Sequence, residues 1–294
     1  MEAVIDVVEP TQPRRRGNAF LRRFFRQPTG VLGLAIVLFL LMVSLLAPVI
    51  KPYDAQRDRD LRARLAPPSA ERWFGADELG RDVFTRVLHG GRISLRAGLI
   101  AVAFAAVVGT LLGLLAGYLG GRVDMAVIWL VDILLAFPGI LLAIAIVATL
   151  GPNLTNALIA IAITQVPIYA RIVRSVVMQV RALEYVQAVR ALGSGGLRVV
   201  FKHVLPNSLA PLIVQLTLSI GTAILDVAAL GFLGLGAQPP TPEWGLMIRD
   251  GFSQFLRAPW MSIFPGLGIF LAVVGFNLLG DAVRDVLDPR LRNL

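Results

Sequence analysis

Cysteine is absent from the 294 residues, and histidine occurs only at His89 and His203. Disulfides and thiolate metal sites are therefore excluded, and two imidazoles so far apart in sequence give no histidine metal centre. Lysine is equally scarce: Lys51 and Lys202 stand alone, and neither closes a G-x-x-x-x-G-K-[ST] loop. The chain thus has no Walker A cradle for ATP. It also lacks a G-x-S-x-G elbow, an H-E-x-x-H pair and a C-x-x-C pair. The Gly195–Gly196 pair has neither the strand nor the downstream acid of a dinucleotide site. No catalytic, cofactor-binding or metal-ligating residue is assigned, and the chain reads as something other than an enzyme.

Charge is sparse as well, at 16% of residues against 56% hydrophobic, with a mean hydropathy of +0.73. Soluble domains of this length are more charged and less apolar. The net charge of +9 does not point to nucleic acid, because the arginines sit between apolar blocks rather than along one soluble face. Arginines that flank membrane spans are explained by topology and anionic headgroups.

What the chain has in quantity is apolar blocks. The first, Val31 to Ile50, is about 20 residues, enough for about 30 Å of helix. It is too long for a signal-peptide core, and Pro48 follows Ala47 directly, so it reads as a retained span. Further spans are predicted near Leu95 to Leu119, Met125 to Leu150, Leu154 to Val173, Ser208 to Leu230 and Ile263 to Leu279. Gly120–Gly121 and Gly151–Pro152–Asn153 mark turns between them. The expectation is an all-α polytopic membrane protein with about six transmembrane helices, both termini on one side.

Arginine placement sets the orientation. The N-terminus carries Arg14, Arg15, Arg16, Arg22, Arg23 and Arg26, and the C-terminus Arg284, Arg290 and Arg292. The loop between the fourth and fifth spans holds Arg171, Arg174, Arg181, Arg190, Arg198 and Lys202. All three fall on one side, which is read as cytoplasmic, although the first external segment is rich in arginine too. The expected organisation is a basic N-terminus (1–30), a first span (31–50), an extracytoplasmic segment (51–94), a transmembrane core (95–283) and a C-terminal tail (284–294). The segment from Asp54 to Arg92 is either a surface-lying piece or a solvated linker.

Within the core, the loop from Arg171 to Pro206 is the informative feature. Glu184 to Gly193 reads as a short amphipathic helix, with Val186, Val189 and Leu192 at three-residue spacing. Gly193 suits a left-handed stop, a second helix follows from Leu197 to His203, and Pro206 suits the first turn of the next span. Composition leaves two readings open: a docking element or a solvated connector.

Gln187–Ala188–Val189, then Gly193, then His203–Val204–Leu205–Pro206 fall in the spacing of the EAA loop, which this segment resembles. That loop belongs to the permease subunits of ABC importers. Gln187, Val189 and His203 depart from its Glu, Ala and Ile. The stretches Phe74–Arg86, Gly231–Gly245 and Leu287–Arg292 are similar to the dipeptide, oligopeptide and nickel importer permeases, and more narrowly to the second, shorter permease. The resemblance covers nearly the whole chain from Arg22. It implies the type I ABC importer transmembrane fold in a bacterial inner membrane, with peptide or nickel as cargo. It also implies a second homologous permease, two ABC ATPases that supply ATP and Mg, and an extracytoplasmic substrate-binding protein. In that comparison Glu184 to Gly193 is the coupling helix. A carrier or membrane enzyme acting alone is the rival reading.

Three further features stand out. Gly109, Gly113 and Gly117 recur every fourth residue and permit close helix approach, within the bundle or against a partner. Asp132 and Asp226 lie inside predicted spans, where a charge needs a reason: they line a path, or they pair internally. Pro138 and Pro167 are expected to kink their helices, and Trp244 and Trp260 to sit at the membrane interface.

Overall fold

A computed structural model describes residues 16–54 and 56–287. The terminal arginines Arg14, Arg15, Arg290 and Arg292, and the tail beyond Leu287, lie outside the described residues. Among those residues, all regular structure is helical apart from a lone bridge between Ala76 and Asp82.

The short helix α1 (Arg16–Phe24) leads into α2 (Pro28–Ile50), which has proline in its first turn where no backbone donor is lost. Next comes α3 (Val83–Leu119), beginning at Val83 rather than at the expected Leu95. The reason is its cap. Asp82 accepts from the Thr85 amide at 3.0 Å and from Lys51 Nζ at 2.8 Å, and this fixes a helix start well before the apolar block.

The predicted third span is two helices, α4 (Gly121–Leu135) and α5 (Gly139–Leu150), turned by 91° at Ala136–Pro138. Proline lacks the amide to continue the ladder and pushes the preceding residue out of the α region. Pro138 therefore breaks the span outright. Pro167 lies inside α6 (Leu154–Arg181), which runs through it as one helix. Because α6 reaches Arg181, Arg171, Arg174 and Arg181 belong to a membrane-crossing helix and not to the loop.

The remaining helices are α7 (Glu184–Ala191), α8 (Gly196–Val199), α9 (Leu205–Phe232), α10 (Trp244–Phe252) and α11 (Trp260–Leu287). Among the described residues five helices are long and apolar enough to cross a membrane, or six with the bent α4–α5 pair taken as one span.

Glycines set the tightest packing. A Cβ at Gly109 would lie 2.5 Å from Tyr169 Cβ, one at Gly113 2.8 Å from Val173 Cβ, and one at Gly117 2.7 Å from Val177 Cβ. All three glycines therefore face α6, within the bundle. The numbers rise together, so α3 and α6 run parallel and α4–α5 carries the chain back between them. One core joins α3, α5, α6 and α9, and a second joins α2, the N-terminal part of α3, the C-terminal part of α9, α10 and α11.

The first half of the segment before α3 is largely exposed, and its second half is a folded cap. Asp77, 1% exposed, accepts from Arg81 Nε at 2.7 Å and Arg86 Nη1 at 2.5 Å. Phe74 stacks on Phe264 with ring centroids 3.8 Å apart. Trp260 donates to the Ala76 carbonyl at 3.1 Å.

Trp244 corrects the interface assignment. It is 2% exposed and donates to the Val87 carbonyl at 2.9 Å. Its neighbour Glu243 is fully buried and caps α10, accepting from the amides of Gly245 and Leu246 at 2.8 Å each and from Ser94 Oγ at 2.9 Å. The Gly231–Gly245 stretch thus clamps α10 against α3. Burial pushes the Glu243 carboxyl above the usual glutamate value, against the pull of those three donors.

Candidate functional site

Beyond the C-terminal ends of α3 and α6, α7 is a small helix with the charge pattern its dipole favours: Glu184 in its first turn and Arg190 in its last. It ends in a Schellman motif. Ser194 N donates to the Val189 carbonyl at 3.2 Å and Gly193 N to Arg190 at 2.9 Å, with Gly193 at φ +82°.

The predicted apolar stripe on α7 does not hold as one face. Val186 is fully buried and Val189 packs against the core, but Leu192 is 87% exposed. The helix has ended by then, so the three-residue period no longer governs where Leu192 lies. Leu183, Tyr185 and Phe201 of the same loop are exposed as well. Gln187 and Ala188 are exposed, and Gln187 Nε2 donates to the Ala182 carbonyl at 3.2 Å.

The second loop helix differs from the expected Leu197–His203. A turn of α8 runs through a π-helix, Val200–Val204, directly into α9. Leu205 N reaches the Val200 carbonyl, five residues back. Pro206 therefore follows a widened turn inside a continuous helix rather than restarting the chain. A proline there has no amide to give, and its ring crowds the carbonyl four residues back. The π turn supplies that room, as such turns do at functional sites. His203, within it, meets the Tyr185 ring edge-on at 5.7 Å.

Tyr118, at the C-terminal end of α3, braces this loop and was not singled out from the sequence. Arg181 donates to the carbonyls of Gly117 and Tyr118 at 2.7 Å each. Arg190 donates to the Tyr118 hydroxyl at 3.2 Å and lies 5.2 Å from its ring centroid. A Cβ at Gly196 would sit 2.7 Å from the same hydroxyl. The only sequence signal was an aromatic residue just before the Gly120–Gly121 break.

The two intramembrane acids part company. Asp132 in α4 pairs with Arg171 Nη2 at 2.5 Å, while Asp124 pairs with Arg174 below it. Asp226, in the last third of α9, is half-buried and has no hydrogen bond or ion pair among the described residues.

Comparison with known proteins supplies the frame for this geometry. The family described as "Binding-protein-dependent transport system inner membrane component" matches residues 109–293. The "N-terminal TM domain of oligopeptide transport permease C" matches residues 17–68. The dipeptide transport system permease protein DppC of Alkalihalophilus pseudofirmus is 52% identical over 264 residues, covering 90% of this chain and 86% of that one. The glutathione transport system permease protein GsiD of Pectobacterium atrosepticum is 43% identical over 293 residues, covering 100% and 97%. The probable D,D-dipeptide transport system permease protein DdpC of Escherichia coli is 46% identical over 279 residues, covering 95% and 93%. Among solved structures, an inward-facing MetNI methionine ABC transporter aligns with a TM-score of 0.56 at 21% identity, over 68% of this chain and 96% of that one, which shows a shared fold.

Proposed function

From the premise that this chain belongs to the binding-protein-dependent transport system inner membrane components, we propose that it carries peptides inward as one of two permeases driven by separate ATPases. The protein is a multi-pass membrane permease. Its cargo is read as di- or oligopeptides because the relatives named above move dipeptides and glutathione. In this reading a second, homologous permease completes the path, two ATPase subunits holding ATP and Mg dock beneath, and an extracytoplasmic binding protein delivers the peptide. Both termini and α7 lie in the cytoplasm.

The observation that carries the coupling is that Leu183, Tyr185, Leu192 and Phe201 are all exposed on a loop braced by Tyr118. Exposed apolar side chains on and around a braced helix suit a protein groove, and the brace to α3 passes a push on α7 into the bundle. Glu184, Gln187, Ala188, Val189, Gly193, His203, Leu205 and Pro206 shape that element.

Purification of the chain with its neighbouring gene products tests the assignment. ATPase subunits should co-purify and drive peptide uptake in proteoliposomes. Leu192→Asp should release the ATPases while the permease pair stays folded, since Leu192 contributes little to the core. Full transport by the isolated chain would overturn the proposal.

A further inference from the structure

A polar stripe runs down the open face of α6. Thr164, Arg171, Ser175 and Gln179 follow one another at spacings of seven, four and four residues, which stacks them on one side of a helix. Arg171, Ser175 and Gln179 are exposed and Thr164 is half-buried, with the apolar Ile168 and Met178 exposed among them. The exposed face of α3 is different in kind: Ile100, Phe104, Val107, Leu111 and Leu115 keep helical spacing without one polar side chain. That is a surface for lipid.

Depth makes the contrast decisive. By helical rise, Arg171 stands about 25 Å from the outer end of α6 and about 15 Å from its inner end. Any placement that carries both ends clear of a ~30 Å hydrocarbon core leaves Arg171 within it. Yet Arg171 and Asp132 form an ion pair with each side chain 53% exposed. Charged groups at such depth face the bundle interior or water, not acyl chains.

The elbow between α4 and α5 points the same way. Ala136, Phe137 and Pro138 are exposed where the helical ladder is broken by the 91° turn. Irregular backbone at membrane depth is tolerated only inside protein or beside a water-filled cavity.

We propose that the α6 polar stripe and the α4–α5 elbow form this chain's wall of the translocation path. On that wall, Asp132 and Arg171 exchange their mutual contact for the amino and carboxylate ends of a passing peptide. A water-facing ion pair holds together weakly, so it parts readily for a ligand of matching charge. The exchange rests on the peptide-import reading above; the position of the wall does not.

The chain's lack of cysteine makes the test direct. Single cysteines go in at Thr164, Ser175 and Gln179, and at Leu111 and Leu115, in the assembled nucleotide-free complex. A water-soluble thiosulfonate should modify the α6 set and spare the α3 set, read by mass on this chain. Labelling confined to α3, or none on α6, overturns the wall.

For the exchange, Arg171→Gln should raise the half-saturating concentration of a free-acid dipeptide about tenfold, the scale of one charged hydrogen bond. Uptake of the C-terminally amidated peptide should be unchanged. Equal losses for both peptides, restored in the D132R/R171D exchange, would make the pair an internal brace and overturn the ligand role. A wild-type complex that imports neither peptide would overturn the peptide reading and the exchange together, with the labelling still deciding the wall.

Discussion

Gly193 and Glu243 act at the scale of single residues, and for opposite reasons. Gly193 occupies the left-handed region with nothing within 4 Å of a hypothetical Cβ, so its requirement is conformational and not steric. A β-branched side chain there costs about 1–2 kcal/mol in the turn itself. Gly193→Val should therefore assemble normally while uptake falls relative to ATP hydrolysis, measured together in proteoliposomes. Glu243 is a matter of burial. Its carboxyl is raised above the ordinary value, so the folded state holds the proton more tightly than the unfolded chain. Its contribution to stability is present at low pH and declines as pH rises from the unfolded value through the raised folded one. Glu243→Gln should flatten that decline in thermal melts of the purified complex, while Glu243→Ala should lose about 1–2 kcal/mol of cap.

At the scale of elements, the α3–α6 pair depends on what is missing between the helices. A Cβ at Gly113 would meet the Ala170 carbonyl oxygen at 2.5 Å, and backbone cannot step aside as a flexible side chain can. Gly113→Leu should cost about 3 kcal/mol or more through overpacking, seen as a lowered melting temperature or loss of folded protein. Gly266 in α11 has open space around it and no positive φ. Gly266→Ala should be neutral or stabilising by up to about 1 kcal/mol. The α8–π–α9 run belongs here too: its widened turn exists because Pro206 sits in an unbroken helix, and it puts His203 beside Tyr185.

For the whole molecule, the parallel register of α3 and α6 determines how often the chain crosses. Two parallel helices need one return between them, so α4 and α5 count as a single crossing, and the total among the described residues is even. A reporter fused after Gly151 should behave as extracytoplasmic and one fused after Gly193 as cytoplasmic. Alkaline phosphatase activity at the first site and fluorescent-protein emission at the second would check this. The opposite pattern at either site would break the count.

Local chemistry made much of this visible in the residues alone. Long apolar blocks are legible because lipid demands them over a continuous stretch. Gly193 was legible because few other residues accept a left-handed stop, and the Gly109–Gly113–Gly117 spacing announced a close approach. What the glycines approach was decided only by the fold, because the partner helix lies some sixty residues away in the chain. The same holds for Arg171, predicted where a span meets a basic loop: its pairing with Asp132 joins residues 39 apart in the chain and exists only in the fold. Leu192 followed a helical period that stops one residue too early to bury it. Solvent and backbone conformation act on neighbours in sequence, so the spans and the loop's stop were already determined there. Which face meets lipid, which meets water and what braces the loop depend on contacts between distant residues, and those exist only in the tertiary structure.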